Sequence, residues 1–160
     1  DGYYLNGTYY GEKDLLAVGV AAQTQGDERN AFSVDFLLEK KIGGGGVVTV
    51  ESEYAKYSRL GGYKASYAES DGGYGLASYL FPPMMGMSGK FQILGKFAQA
   101  NYKKGLTALD KDYNQKTSEV DFNYIIKDFN ARIMIFFKDT RFDAIETNNK
   151  QFGVGVQLQM

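Results

Sequence analysis

The last eleven residues of the chain alternate between apolar and polar positions with a strict period of two. Successive side chains of a β-strand point to opposite faces, so this segment predicts a strand with one apolar and one polar face. The polar row holds only glutamine and glycine, a row that suits the water-facing side of a transmembrane β-barrel strand whose apolar row faces lipid. The apolar row consists of Phe152, Val154, Val156, Leu158 and Met160.

The composition of the chain excludes several classes of function. Its 160 residues are enough for one domain, and they include neither cysteine nor histidine. Without these residues there are no disulfides, thiolate metal sites or Ser-His and Cys-His pairs, so we expect no enzyme, catalytic residue, metal or cofactor. A formal net charge of −1 gives no positive field for nucleic acid. No uninterrupted apolar run is long enough for a membrane helix.

Applied along the whole chain, the two-residue period predicts about nine strands. The composition agrees, because the chain has 13 tyrosines, 11 phenylalanines and 20 glycines but only 2 prolines. Most of the predicted strands are close to the roughly 9–11 residues that a tilted strand needs to cross the hydrocarbon layer. They cover about residues 2–10, 14–24, 31–41, 47–57, 74–81, 89–102, 116–127, 130–140 and 150–160.

The connectors between these strands alternate between short and long through most of the chain. The long connectors are residues 25–30, 58–73, 103–115 and 141–149. Outer-membrane barrels have this alternation, because their periplasmic turns are short and their extracellular loops are long. A soluble antiparallel meander is the alternative, and it gives no reason for the alternation.

The number of strands bears on whether the barrel is complete. An odd number places the two chain ends on opposite sides of the membrane, whereas single-chain bacterial barrels have an even number and both ends in the periplasm. Either residues 2–10 are not a strand and the chain is a small eight-stranded barrel, or the chain is part of a larger one. We predict the latter: residues 1–160 form a single β-barrel region, the C-terminal portion of a larger antiparallel transmembrane β-barrel.

Several segments rich in aromatic, glycine and charged residues resemble those of a known family. The segments are residues 2–11 with 14–20, 34–41, 80–82 with 89–92, and 151–157. They resemble the C-terminal half of outer-membrane porins of the phosphate-selective porin O and P family. The resemblance implies a barrel of roughly sixteen strands, commonly a homotrimer, in the outer membrane of a Gram-negative bacterium. It also implies outer-membrane lipid as a partner and passive diffusion of small polar solutes or ions.

If the apolar rows face lipid, the charged residues of the opposite rows line the pore. Acidic and basic residues alternate around this wall, whereas anion passage needs positive potential along the path, so we do not carry phosphate selectivity over from the family. The charges either create a transverse field that favours polar or zwitterionic solutes, or pair across strands and keep the wall hydrated. The predicted pore-lining residues are Asp35, Glu39, Glu51, Glu53, Lys90, Lys96, Glu119, Asp121, Lys127, Arg132 and Lys138.

Tyrosines recur close to the predicted strand ends. We expect them to form an aromatic girdle at the membrane interfaces, and ordinary enrichment of tyrosine in strands is the alternative. The residues in question are Tyr3, Tyr9, Tyr54, Tyr57, Tyr74, Tyr79 and Tyr102.

Two other classes of function remain open besides the porin. A soluble β-barrel binding protein would turn its apolar rows inward around a lipophilic ligand. A barrel that serves as a structural sheath or interaction component of an envelope complex would be plugged until its partner is removed. Detergent dependence separates the soluble class from the other two, and conductance in a lipid bilayer separates the porin from the sheath.

Overall fold

The computed structural model describes residues 9–26, 29–59, 69–103, 112–127, 131–143 and 147–158. These residues form eight β-strands and one short 3-10 turn at Gly43–Gly45. Among them there is no helix of the length and apolarity that a membrane span requires. The strands are β1 (Leu15–Gln25), β2 (Arg29–Lys41), β3 (Val47–Ser58), β4 (Glu69–Leu80), β5 (Lys90–Lys103), β6 (Tyr113–Lys127), β7 (Ala131–Phe142) and β8 (Thr147–Leu158).

All eight strands belong to a single antiparallel sheet, in which each strand pairs with its neighbours in sequence. The prediction of an all-β antiparallel fold is therefore confirmed. β1 and β8 are the edge strands, and within the described parts of the chain each pairs with one neighbour only. The described strands thus form an open sheet that is not closed into a barrel. We call the end at which β1, β3, β5 and β7 finish the loop end, and the opposite end the turn end.

Strands two to nine of the sequence prediction correspond to β1–β8, with ends that differ by a few residues. The largest difference is in β4, which begins at Glu69 rather than at residue 74. Its first residues, Glu-Ser-Asp-Gly-Gly, have low strand propensity. They nevertheless pair on both sides, since Ser70 lies opposite Tyr57 of β3 and Tyr102 of β5. Two backbone ladders therefore outweigh the weak local preference.

The first predicted strand is only partly covered by the described residues. Tyr9 has no regular structure and Tyr10 lies in a turn, so neither belongs to a strand. Residues 2–8 lie outside the described residues, and the prediction made for them stays a prediction.

One face of the sheet, here called the apolar face, presents large aliphatic and aromatic side chains. The strand register brings them together: Phe122, for example, lies opposite Ile93 on one side and Ile135 on the other. Nothing else in the described part of the chain covers this face, and the most exposed of its large side chains are 38–75% exposed. They include Leu16, Val18, Val20, Phe32, Phe91, Ile93, Phe97, Val120, Phe122, Ile133, Ile135, Phe137, Phe152, Val154, Val156 and Leu158.

Polar side chains replace the apolar ones on this face at the loop end. Three side-chain contacts link them: Asn101 Nδ2 donates to Asp71 at 2.8 Å, Lys103 Nζ lies 3.4 Å from a Glu69 carboxylate oxygen, and Arg141 binds Asp139 at 3.0 Å. We call this row the polar belt. Its members are Lys56, Glu69, Asp71, Gln99, Asn101, Lys103, Lys116, Asp139, Arg141 and Lys150.

Aromatic side chains collect at the turn end. Tyr79 packs edge-on against Phe81 with ring centroids 4.8 Å apart, and Phe91 packs against Tyr124 at 5.0 Å. The apolar face is thus a band with a polar belt along one border and aromatic pairs along the other.

The opposite face, here called the polar face, is concave. Glu39, Thr49, Ser78, Gln92, Asn123 and Thr140 are buried polar residues on this face. Side chains of a single-layer sheet become buried on one side when that side curves inward. A cavity of about 210 Å³ confirms the curvature, because five consecutive strands, β3 to β7, line it together with Tyr10.

Candidate functional site on the concave face

All of the predicted pore-lining residues except Lys127 lie on the concave polar face. The strand register places Asp35 opposite Glu53, and Glu119 between Lys96 and Lys138. The sequence alternation therefore assigns these side chains to the face on which the structure has them.

Lys127 departs from the alternation because of a β-bulge. The register of β6 against β7 shifts between Ile125 and Lys127, so that Lys127 lies opposite Ala131. Ala131 shares the apolar face with Ile133 and Leu158. An extra residue in one strand reverses the alternation beyond it, which is why Lys127 cannot be assigned to the polar face.

Glu39 is on the polar face but presents no charge to the cavity. It is 0% exposed. Its Oε1 accepts hydrogen bonds from the backbone N–H groups of Tyr9 at 2.9 Å and Gly11 at 3.0 Å, and its Oε2 accepts one from the Thr49 hydroxyl at 3.3 Å. Glu39 therefore anchors residues 9–13 across the concave face.

Residues 9–11 pack on the concave face at the turn end, whereas Glu12 and Lys13 are exposed. Tyr10 is 6% exposed and belongs to a buried apolar cluster with Val47, Leu80 and Ile125. The following Gly11 has a φ of +81°, and a Cβ there would lie 2.4 Å from Val47 Cγ2. Only glycine combines that backbone conformation with so close an approach. We call residues 9–13 the plug segment.

A chain of buried amide and hydroxyl groups lies beside this cluster. Asn123 Nδ2 donates to Gln92 Oε1 at 3.1 Å, and Gln92 Nε2 donates to Ser78 Oγ at 3.3 Å. Asp121 Oδ1 and Arg132 Nε line the same 210 Å³ cavity and have no hydrogen-bond partner among the described residues. A polar cavity of this size holds several water molecules, each of which takes about 30 Å³ in the liquid. The concave face is therefore suited to hydration.

The middle of the concave face has an acidic side and a mixed side. The acidic side consists of Asp35, Glu51 and Glu53 on β2 and β3. Tyr74 separates it from the mixed side, because its hydroxyl donates to Glu51 while Lys96 Nζ lies 4.4 Å from its ring centroid. Among the described residues no group of acidic side chains has the geometry of a metal site. The three carboxylates lie together on one wall of the concave face.

Of the tyrosines predicted to form a girdle, Tyr3 lies outside the described residues, Tyr9 belongs to the plug segment, and the other five divide between the two faces. Tyr54 and Tyr79 lie on the apolar face, whereas Tyr57, Tyr74 and Tyr102 lie on the concave face. Proximity to a strand end does not distinguish these groups, but the odd or even position within each strand does. The odd or even position of each tyrosine in its strand is therefore the sequence signal that could have identified the tyrosines of the concave face.

Comparison of the chain with protein-family models, with curated proteins and with solved structures gives no match. The resemblance to the porin O and P family therefore stays an expectation from the sequence segments. The chemistry available for a functional inference is that of the concave face: an acidic wall, a mixed row of charges, and a polar cavity next to the plug segment.

Proposed function

We propose that this chain is part of an outer-membrane porin through which small polar solutes or ions diffuse passively. The observation that carries the proposal is the contrast between a charged concave face and an exposed apolar face. A soluble sheet packs its apolar face into a core and turns its polar face to water. Here the apolar face is uncovered in the described chain, and lipid on that side with water on the concave side would satisfy both.

The dimensions of the apolar band also suit a bilayer. The strands have 11–15 residues, so each reaches the roughly 9–11 needed to cross the hydrocarbon layer and most exceed it. The additional length falls in the polar belt at the loop end, where side chains would meet lipid headgroups and water. Aromatic pairs at the turn end are of the kind enriched at membrane interfaces.

The two free sheet edges support a barrel with more strands than the eight described. β1 and β8 are 11 and 12 residues long, and one side of each backbone has no strand partner among the described residues. An unpaired backbone group in hydrocarbon costs several kcal/mol, so open edges are not viable in lipid. The proposed protein closes these edges with further strands, in a barrel of roughly sixteen strands that assembles as a homotrimer in the outer membrane of a Gram-negative bacterium.

The concave face argues against the soluble alternative. A barrel that carries a lipophilic ligand needs an apolar interior. Here the concave side holds Asp35, Glu51, Glu53, Lys96 and Glu119, and the large apolar side chains are on the other side.

The test is conductance of the purified protein in a planar lipid bilayer, together with swelling of liposomes in solutions of small polar solutes. We expect stepwise ion currents, and swelling rates that fall as solute size increases. A protein that inserts into the bilayer but carries no current would contradict the proposal and favour the sheath. A protein that folds and stays monodisperse without detergent would exclude both membrane roles.

Replacing Lys96 by methionine is expected to increase the preference of the pore for cations. Lys96 is the basic residue facing the acidic wall, so its loss leaves Glu51, Glu53 and Glu119 less compensated. The measurement is the reversal potential across a bilayer with a salt gradient. Lys56→Met is the matched control, because Lys56 lies on the apolar face in the polar belt. Equal shifts in the two variants would contradict the assignment of faces.

A further inference from the structure

A second cavity lies on the concave face between β3, β4 and β5, toward the loop end. Its volume is about 310 Å³, at the lower end of the roughly 300–1,000 Å³ usual for small-molecule sites. The floor consists of small residues: Ala55, Gly72, Ala98 and Ala100. A Cβ at Gly72 would lie 2.7 Å from the backbone oxygen of Gln99, so this position has no room for a side chain. The floor is therefore a flat surface of methyl groups and backbone.

Tyrosine rings stand around this floor. Tyr57, Tyr74 and Tyr102 all line the cavity. Tyr102 is stacked on Tyr113, with ring centroids 4.4 Å apart and planes 15° apart, and Tyr74 is bonded to Glu51. Rings held in this way lose little further freedom when a ligand packs against them.

The polar side chains that line the cavity from the concave face include one carboxylate and one ammonium group, while Asp71 and Gln99 of the lining belong to the apolar face. Glu53 offers carboxylate oxygens that accept hydrogen bonds, Lys96 offers an ammonium group that donates them, and Ser70 offers a hydroxyl that does both. Among the described residues that line the cavity, an anion would meet a single ammonium group with the carboxylates of the acidic wall close by. A cation would meet the Lys96 ammonium group against the Tyr74 ring, at 4.4 Å from its centroid.

We propose that this cavity is a binding subsite for a neutral sugar of one or two rings. The juxtaposition that carries the proposal is a flat apolar floor and fixed tyrosine rings beside one acceptor and one donor group. The C–H face of a sugar ring packs on aromatic rings and methyl groups, while its hydroxyls reach Glu53 and Lys96. The inference rests on the proposed function, because it names the class of polar solute that would pause on its way through the pore.

The test is direct binding of maltose to the protein in detergent micelles, measured by saturation-transfer NMR. Tyr57→Ala is expected to weaken binding about tenfold or more, because it removes one stacking wall. Glu53→Gln is the second variant, and it should weaken binding while keeping the shape of the wall. Tyr54→Ala is the matched control: Tyr54 is on the same strand and 43% exposed against 39% for Tyr57, but it lies on the apolar face.

The outcomes separate this inference from the proposed function. Saturable maltose binding that Tyr57→Ala and Glu53→Gln weaken and Tyr54→Ala leaves unchanged supports the subsite. Conductance without maltose binding, or binding of inorganic phosphate in place of maltose, would contradict the sugar subsite but not the proposed porin function. Maltose binding without conductance would support the sugar subsite and contradict the proposed porin function. Equal weakening in Tyr57→Ala and Tyr54→Ala also overturns the subsite.

Discussion

Glu39→Ala is expected to lower the free energy of unfolding by about 2–5 kcal/mol and to release the plug segment from the concave face. The carboxylate is completely buried and accepts hydrogen bonds from two backbone N–H groups and the Thr49 hydroxyl. Each buried donor left without a partner costs about 1–3 kcal/mol. Release of residues 9–13 into water would recover part of this loss, which limits the total.

Two measurements distinguish loss of stability from release of the segment. Urea unfolding of the protein in lipid gives the change in free energy, and limited trypsin digestion reports access to the bond after Lys13. In the parent protein the exposed Lys13 is tied to the segment by its ammonium group, whose Nζ lies 3.9 Å from the centroid of the Tyr9 ring. We expect cleavage there to be faster in Glu39→Ala.

Two further variants make this prediction specific. Glu39→Gln keeps one oxygen that can accept from Tyr9 and Gly11 but places an amide where Oε2 accepts from Thr49, so its effect should be intermediate. Glu53→Ala removes a partly exposed carboxylate from the same face and should change stability by no more than about 0.5 kcal/mol. If Glu39→Ala behaved like Glu53→Ala, Glu39 would not be the anchor.

The sheet could be predicted from the sequence because its main determinant is local. Alternation with a period of two is readable within a single strand, and each strand pairs with its neighbours in sequence. The start of β4 could not be predicted, because its Glu-Ser-Asp-Gly-Gly residues are held by the ladders to β3 and β5 rather than by their own preference. Strand ends of this kind depend on neighbours that a local pattern does not contain.

The candidate site was predictable to a smaller extent. The odd or even position of a residue in its strand assigns its side chain to a face, but it does not indicate which other segments pack on that face. Glu39 therefore had the pattern of a pore charge, although the plug segment covers it. Asn123 and Gln92 had the pattern of wetted polar positions, although the curvature of the sheet buries them. Lys127 was displaced by a bulge that the alternation does not reveal.

Val120→Lys is expected to destabilise the protein by about 2–4 kcal/mol in lipid, because it would place a charge in the hydrocarbon layer. Val120 lies within the apolar band, flanked by Gly95 and Phe137, and is 42% exposed. In a water-soluble sheet the same change at an exposed position would alter stability by no more than about 0.5 kcal/mol. The measurement is urea unfolding in lipid vesicles, with the fraction that folds and inserts recorded separately.

Two controls separate membrane depth from the identity of the face. Ser118→Lys lies on the same strand and face, two residues closer to the polar belt, and should cost about 0–1 kcal/mol because the penalty falls toward the interface. Ser33→Lys lies on the concave face between Ala21 and Ala55, and should be tolerated if that face is wet. A cost at Val120 that exceeds both controls requires lipid on the apolar face. Equal tolerance of all three changes would mean that water reaches both faces, and the exposed apolar band would then have to be covered by protein instead.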